Sequence, residues 1–507
     1  MPKQEPDSDS RFAVEETTID AIHDAMKDGA VSASALVQKY TARIEAYNHQ
    51  GPQLNCIVNF NDNARRRAEE LDDSFSQSGE FVGPLHGIPV LVKDCIETED
   101  APTTFGNTAF AEYRPMSDAT VVSKLRAAGA IILAKTTLPD FATSWFGYSS
   151  MSGYTCNPYA LDRDPGASSS GSGAATAANL ATISLGTDCG GSIRVPSSFN
   201  NLVGVRSTPG LISRNGVGCL IFFQDTIGPM SRTVTDAVTV FDVLKGYDPA
   251  DSLTTNYHEA RTPASYASNL VEDGLDGAKL GLVTNALGSN DNPAAAPVNS
   301  VIGEAVKSLK SAGATVIEVE IPDLAHHITA TLLYENRTKF DINSFLGARP
   351  NSPVRSLNQL IESRQYHPAM DLLEACGFGP DRPEYDPLYF NRLAAREEFA
   401  RVTNNLMSCH ELDALVYPNV QVVPPTKKEL DDGVWPTMAF PTNTLIASQT
   451  WLPAISVPAG FTDAGLPVGL EIVARRYDES TLFRFAYSFE QATHHRRPPR
   501  STSELRN

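Results

Sequence analysis

The stretch D-P-G-A-S-S-S-G-S-G-A-A-T-A-A-N-L-A-T-I-S-L-G-T-D-C-G-G-S-I-R-V-P, residues 164–196, decides how the chain reads. It opens on Gly166 and Ala167, three consecutive serines (Ser168, Ser169, Ser170), and Gly171-Ser172-Gly173. It closes on Gly190-Gly191-Ser192-Ile193-Arg194. Between them, residues 174–185 are rich in alanine and free of Pro, which predicts a buried helix followed by a short strand. Loop, helix, strand and loop can return two serine-bearing segments to one place. Adjacent glycines turn tightly and expose backbone N–H groups beside a hydroxyl. A nucleophile with oxyanion donors next to it is what acyl transfer needs. A Gly/Ser run alone more often makes a flexible linker. A linker is not followed at once by an apolar helix and strand, so the pairing of the two loops carries the information.

Upstream, residues 83–94 read G-P-L-H-G-I-P-V-L-V-K-D. Residues 88–92 are short and apolar, which predicts a buried strand with Pro89 near its start. The strand ends in Lys93, either a snorkelling surface lysine or a functional one. Residues 129–136, G-A-I-I-L-A-K-T, nearly match a phosphate-binding loop. That reading fails, because Ala134 replaces a required glycine and residues 131–133 are strand-like where free N–H groups are needed. Residues 137–159 are irregular and aromatic, with Phe141, Trp145, Phe146, Tyr148, Tyr154 and Tyr159. Such rings either fill the core or line a pocket beside the serines.

These motifs resemble the amidase signature family of serine hydrolases. The family pattern is a Gly/Ser loop, an Ala-rich helix, then G-[ST]-D-x-G-G-S-[IV]-R-x-P, which residues 186–196 fit without a gap. Its second signature, G-P-L-x-G-I-P-x-x-V-K-D, is filled by residues 83–94 and puts Lys93 at the catalytic lysine position. The family loop usually reads Gly-Gly-Ser-Ser-Gly-Gly; here Ala167 and Ser170 stand in two of the glycine places. An ungapped match picks Ser168 as the relay serine, with Ser169 next. Residues 204–210 and 224–234 are similar to further family blocks. The resemblance covers about residues 15–490 and is strongest over 83–235.

The resemblance implies an α/β fold: a single large α/β/α domain with a mixed central sheet flanked by helices. It implies a hydrolase that cleaves a carboxylic amide bond through a Ser-Ser-Lys triad and an acyl-enzyme, releasing ammonia or an amine, with no cofactor and no metal. Ser192 would be the nucleophile, Ser168 the proton relay, and Lys93, held neutral, the ultimate base. The N–H groups of Cys189, Gly190, Gly191 and Ser192 would form the oxyanion hole. The family also places a cis peptide before the relay serine, here Ala167–Ser168. It lines the acyl site near Ala142, which makes Ala142, Phe141, Trp145, Phe146 and Ser169 candidates for substrate contact. A pocket so lined should favour uncharged amides with an aromatic or aliphatic acyl group over carboxylated ones. Three other readings stay open. They are a carbamate or ester hydrolase on the same triad, the A subunit of a glutamine-dependent tRNA amidotransferase, and a non-catalytic binding protein of the same fold. The intact Lys93, Ser168 and Ser192 count against the last.

Composition bounds the remaining classes. The 507 residues are 41% hydrophobic and 20% charged, an ordinary globular balance. A net charge of −19 argues against a broad nucleic-acid or anionic-membrane surface. Seven scattered cysteines include no Cys-x-x-Cys pair, so neither a zinc site nor a disulfide framework is indicated. Reduced thiols in a cytoplasmic protein are the expectation. The start, M-P-K-Q-E-P-D-S-D-S-R-F, holds no apolar signal segment, and no run approaches the roughly 18 apolar residues of a membrane span. The expected partner is a small-molecule amide, with no nucleic acid and no membrane; a homodimer is left open.

The expected organisation is a disordered N-terminus over 1–10, an amidase domain over 11–495 and a surface tail over 496–507. Residues 325–405 form a helical region closing over the substrate. Apolar spacing predicts two helices within 18–48, broken at Gly29 and with Ser32 capping the second. Further helices are expected over 63–76, 118–128 and 297–311. Strands are expected over 279–283, 314–319, 413–418, 455–458 and 468–473.

Overall fold

The apolar runs named above become strands, and others join them. In the computed structural model, which describes residues 12–505, the strands are β1 (Ile57–Phe60), β2 (Pro89–Lys93), β3 (Ile131–Thr136), β4 (Tyr148–Ser149), β5 (Gly153–Tyr154), β6 (Ile183–Asp188), β7 (Val203–Arg206), β8 (Thr226–Ser231), β9 (Lys279–Val283), β10 (Thr315–Val319), β11 (Ala414–Pro418), β12 (Ala454–Phe461) and β13 (Pro467–Val473). The expected disorder over residues 1–10 lies outside the described residues. β4 and β5 pair with each other. The rest form one 11-stranded sheet in the order β1-β3-β2-β6-β8-β7-β12-β13-β11-β9-β10. β2 runs parallel to β3 and β6, and β9 parallel to β10 and β11. The strands between β6 and β13 are antiparallel. Every residue of β2, β3, β6, β8, β11 and β13 is buried. Continuous burial of this kind needs cover on both faces, and the helices supply it. The α/β architecture with a mixed central sheet is therefore present.

Helix boundaries follow local chemistry. The first two helices are Ile19–Lys27 and Ala33–Tyr47, and Ser32 Oγ accepts the Ala35 N–H at 3.1 Å as the second one's cap. The charged helix Ala64–Ser78 carries Arg65–Glu69 and Arg66–Glu70 pairs on its exposed side, where such pairs add little stability. The phosphate-loop look-alike is strand β3. Its Lys135 is fully buried, 3.1 Å from Asp94.

The helix and strand expected within 174–185 are both present with shifted bounds: the helix spans Ser170–Ala177, starting inside the Gly/Ser run, and the strand is β6. Packing overrides local propensity here. A Cβ on Gly171 would lie 2.3 Å from the Cys56 carbonyl oxygen and 2.4 Å from Thr137 N, so only glycine lets the helix approach that backbone. The tail from Arg496 is mostly exposed and tethered at a few points. Arg496 pairs with Glu16 at 2.7 Å and donates to the Ala177 carbonyl, and Arg43 reaches the Thr502 carbonyl at 2.8 Å. Among the described residues, no helix is long and apolar enough to cross a membrane.

Candidate active site

Sheet topology assembles the site. β2 and β6 are parallel neighbours with Val92 opposite Leu185, so both end on the same edge. Lys93 is the last residue of β2, and the 189–193 loop leaves the end of β6. Ser168 lies just before helix Ser170–Ala177, whose chain leads directly back into β6. Lys93 Nζ is 2.8 Å from Ser168 Oγ and 2.8 Å from Thr187 Oγ1, hydrogen-bonded to both. Lys93 is fully buried, and no carboxylate of the described residues stands within ion-pair distance of it. Burial pushes its pKa down; Cys95, Asp225 and Asp188 pull the other way without prevailing. The peptide Ala167–Ser168 is cis.

The three serines sit differently. Ser169 Oγ donates to the Thr187 carbonyl and accepts its N–H, both at 3.3 Å, so it is tied to the backbone of β6. Ser168 alone of the pair meets Lys93. Ser192 is linked to the first loop through its carbonyl, which accepts the Ser169 N–H at 3.1 Å. Its Oγ bonds to no protein atom of the described residues, and Ser192 keeps 4% exposure where Ser168 and Ser169 have none.

The backbone donors divide in an unexpected way. The Gly191 N–H donates to Asp188 Oδ1 at 2.8 Å. Of the four N–H groups expected in the oxyanion set, that of Gly191 therefore already has an anionic acceptor. The N–H groups of Cys189, Gly190 and Ser192 have no protein acceptor among the described residues. The loop is clamped from both sides: Thr444 Oγ1 donates to the Gly190 carbonyl at 2.6 Å, and Gln224 Nε2 to the Cys189 carbonyl at 2.6 Å. Gly191 has φ +134°, and a Cβ there would lie 2.0 Å from Thr444 Oγ1.

Behind the loop lies a buried charge network. Asp188 accepts from Arg194 and from Arg206, each at 3.0 Å, and Arg194 also binds Glu471. Burial alone would raise the Asp188 carboxyl, but Arg194 and then Arg206 outweigh it and hold it well below the usual carboxylate range. The two acids match the two guanidiniums in charge. Asp188→Asn leaves two buried cations under-compensated and should cost about 3–5 kcal/mol, read by denaturant unfolding. Because the folded pKa is depressed, the Asp188 contribution is present above roughly pH 4 and is lost as pH falls below it.

The candidate pocket residues separate. Trp145 does face the site: its Cη2 would lie 2.9 Å from a Cβ on Gly190. Phe141 packs in an aromatic cluster. It stacks on Phe105 at 5.6 Å, meets Phe110 edge-on at 5.5 Å, and borders a small cavity with Cys95, Cys219 and Phe345. Cys95, on the same cavity, lies 3.8 Å from Thr187 Oγ1, the hydroxyl that Lys93 also bonds. Phe141 and Ala142 both have left-handed backbone, φ +49° and +62°, a strain of about 1–3 kcal/mol each. Two neighbours of the loop were not anticipated from the sequence. Tyr334 Oη and Leu445 Cδ2 would lie 2.1 and 3.1 Å from a Cβ on Gly190. Tyr334 begins the helix Tyr334–Gly347, and burial holds its phenol well above the ordinary value.

The sequence profile of the amidase family matches residues 35–483. The chain belongs to the amidase signature family. It is an amide-hydrolysing enzyme. A protein of Arabidopsis thaliana named a probable amidase is 32% identical to it, over 97% of this chain and 93% of its own length. The A subunit of the glutamyl-tRNA(Gln) amidotransferase from Thermosynechococcus vestitus is 31% identical, over 94% of this chain and 98% of its own. The X-ray structure of the native peptide amidase from Stenotrophomonas maltophilia superposes with a TM-score of 0.85 at 34% identity, covering 97% of this amidase and 100% of that chain.

Proposed function

We propose that this amidase cleaves a carboxylic amide through a covalent acyl-enzyme on Ser192, with Ser168 and Lys93 moving the proton. The observation that carries the reading is the 2.8 Å hydrogen bond between a fully buried Lys93 and Ser168. A neutral amine can accept the Ser168 proton while Ser168 accepts that of Ser192. Ser192 Oγ, which has no protein partner among the described residues, is free to turn to Ser168 when a carbonyl enters; such bonds often tighten only with substrate bound. Ser192 Oγ then bonds to the carbonyl carbon. The oxygen charge meets the N–H groups of Cys189, Gly190 and Ser192. The C–N bond breaks as Ser168 returns a proton to the nitrogen, and water later releases the acid by the same route.

Tyr334, from the helical region 325–405, closes one side of the nucleophile loop in this reading, and Trp145 another. The thiols support a reducing, cytoplasmic setting. The purified chain assayed on amides, anilides, carbamates and esters tests the function. Turnover of amides by the chain alone is expected. Turnover that appears only when partner subunits are added would favour the tRNA amidotransferase reading instead.

The relay makes its own prediction. Ser168→Ala should lower kcat by about 10²–10⁴-fold. Ser169→Ala should cost far less, since the Ser169 hydroxyl bonds only to the Thr187 backbone. Steady-state kinetics of the two variants checks this, and the opposite order moves the relay to Ser169.

A further inference from the structure

Two titratable groups near the nucleophile loop lack a partner of opposite charge beside them. One is Lys93, which meets only hydroxyls. The other is Asp225, which is 3% exposed. Its Oδ2 accepts the Leu220 and Ile221 N–H groups, both at 2.9 Å, and no lysine or arginine of the described residues stands within ion-pair distance of it. The sheet brings Asp225 to the reacting loop. β6 and β8 run antiparallel with Asp188 opposite Thr226, so one step further Asp225 comes opposite Cys189, the first residue of that loop. The Cys189 thiol lies against its carboxyl, and the neighbouring Gln224 holds the Cys189 carbonyl at 2.6 Å.

The surroundings leave Asp225 as the uncompensated negative charge that bears on Lys93. Burial lowers the Lys93 pKa, and Cys95, Asp225, Asp188 and Cys189 oppose it. Burial raises both thiols, so they stay protonated and uncharged. Asp188 is matched by Arg194 and Arg206, each at 3.0 Å. Asp225 has no such match. Burial pushes its carboxyl up to about 6, and it is ionised above that. Charged groups on the surrounding elements are paired. Asp94 meets Lys135 at 3.1 Å, and Asp341, which accepts the Phe222 N–H, meets Arg337 at 2.9 Å. Arg214 pairs with Asp251. Burial keeps the Cys219 thiol and the Tyr334 phenol neutral. Arg206 also holds the Gln224 carbonyl at 2.9 Å. Arg396 bonds to the Thr331 and Ser448 carbonyls and acts on Cys189 and Tyr334. A guanidinium keeps its charge, so Arg396 adds a constant field and no titration.

We propose that Asp225 is the counter-charge of Lys93, a positioning residue that touches no reacting atom and stabilises the ammonium formed when Lys93 takes the Ser168 proton. Its separation from the lysine matters. A carboxylate in contact would hold Lys93 protonated at rest. One set back favours the ammonium only in part, and the amine stays available as a base. The protons balance: that of Ser192 passes to Ser168 as that of Ser168 passes to Lys93, and the new ammonium matches the oxyanion that forms. The inference rests on the proposed function for the role of Lys93.

The test is the pH profile of kcat/KM for the wild type, Asp225→Asn and Lys93→Met, each checked for folding by a thermal melt. The asparagine oxygen can still accept the Leu220 and Ile221 N–H groups, but the charge is gone. The ammonium is then less favoured, so the rise in activity should move to lower pH by about one unit. The plateau should fall by about three- to tenfold for each unit moved, because the proton is partly or fully on Lys93 in the transition state. Asp225→Ser removes the charge with a smaller group, carries the same expectation, and serves if the asparagine variant does not fold. A rise that stays in place or moves to higher pH overturns the inference, whether or not the plateau falls. A rise that moves down with the plateau unchanged also overturns it. Lys93→Met separates the two readings. If its residual activity lacks the rise and Asp225→Asn leaves the wild-type rise in place, the counter-charge alone is refuted. If the rise survives in Lys93→Met, the lysine reading is refuted and the inference falls with it.

Discussion

Ser192→Ala is expected to lower kcat by about 10⁴-fold or more while the protein remains folded. The hydroxyl makes no bond to the described protein atoms, so its removal leaves no buried partner unsatisfied. The loop itself is held by other groups: Asp188 on Gly191 and Ile193, Thr444 on Gly190, and Gln224 on Cys189. Kinetics and a thermal melt on the same preparation separate the two effects. A variant that melts as the wild type but retains a tenth of its activity would remove Ser192 from the chemistry.

Lys93→Met is expected to lower kcat by about 10²–10⁴-fold. Methionine keeps much of the lysine's volume and cannot accept a proton. Ser168 Oγ and Thr187 Oγ1 each lose a partner, a stability cost of about 1–3 kcal/mol. The pH profile distinguishes chemistry from stability. Protonated Lys93 cannot take the Ser168 proton, so wild-type activity should rise with pH as the ammonium gives up its proton. Burial moves that rise below the ordinary lysine range; Cys95, Asp225, Asp188 and Cys189 oppose the shift, Asp225 being itself pushed up to about 6 by burial. The residual activity of Lys93→Met should lack this limb. A variant that keeps the same rise with pH would assign the titration to another group.

The parts of the site that were legible in the sequence are those fixed by short-range pattern. Lys93 ends a continuous apolar strand. Gly190-Gly191-Ser192 follows another, and parallel pairing of β2 with β6 brings the two together. Ser168 needed the motif, because three successive serines look alike until the lysine chooses one of them. The Gly191 N–H is taken by Asp188, three residues earlier, which nothing in the spacing announces. The helix begins earlier than its alanines suggest, at Ser170, because Gly171 answers to the backbone of Cys56 and Thr137, far away in the chain. Tyr334, Thr444 and Leu445 come from weakly patterned segments, and only the fold carries them to Gly190. Trp145 and Phe141 lie four residues apart, yet one borders the nucleophile loop and the other a core cluster. Left-handed backbone at Phe141 and Ala142 redirects the chain here, and composition gives no sign of it.

The central claim is that Ser192 carries the acyl group. Fluorophosphonate inactivation followed by peptide mapping by mass spectrometry tests it most directly. One adduct per chain, on the peptide containing Ser192, and none in Ser192→Ala, is the predicted result. An adduct on Ser168 or Ser169, or inactivation that persists in Ser192→Ala, would contradict it.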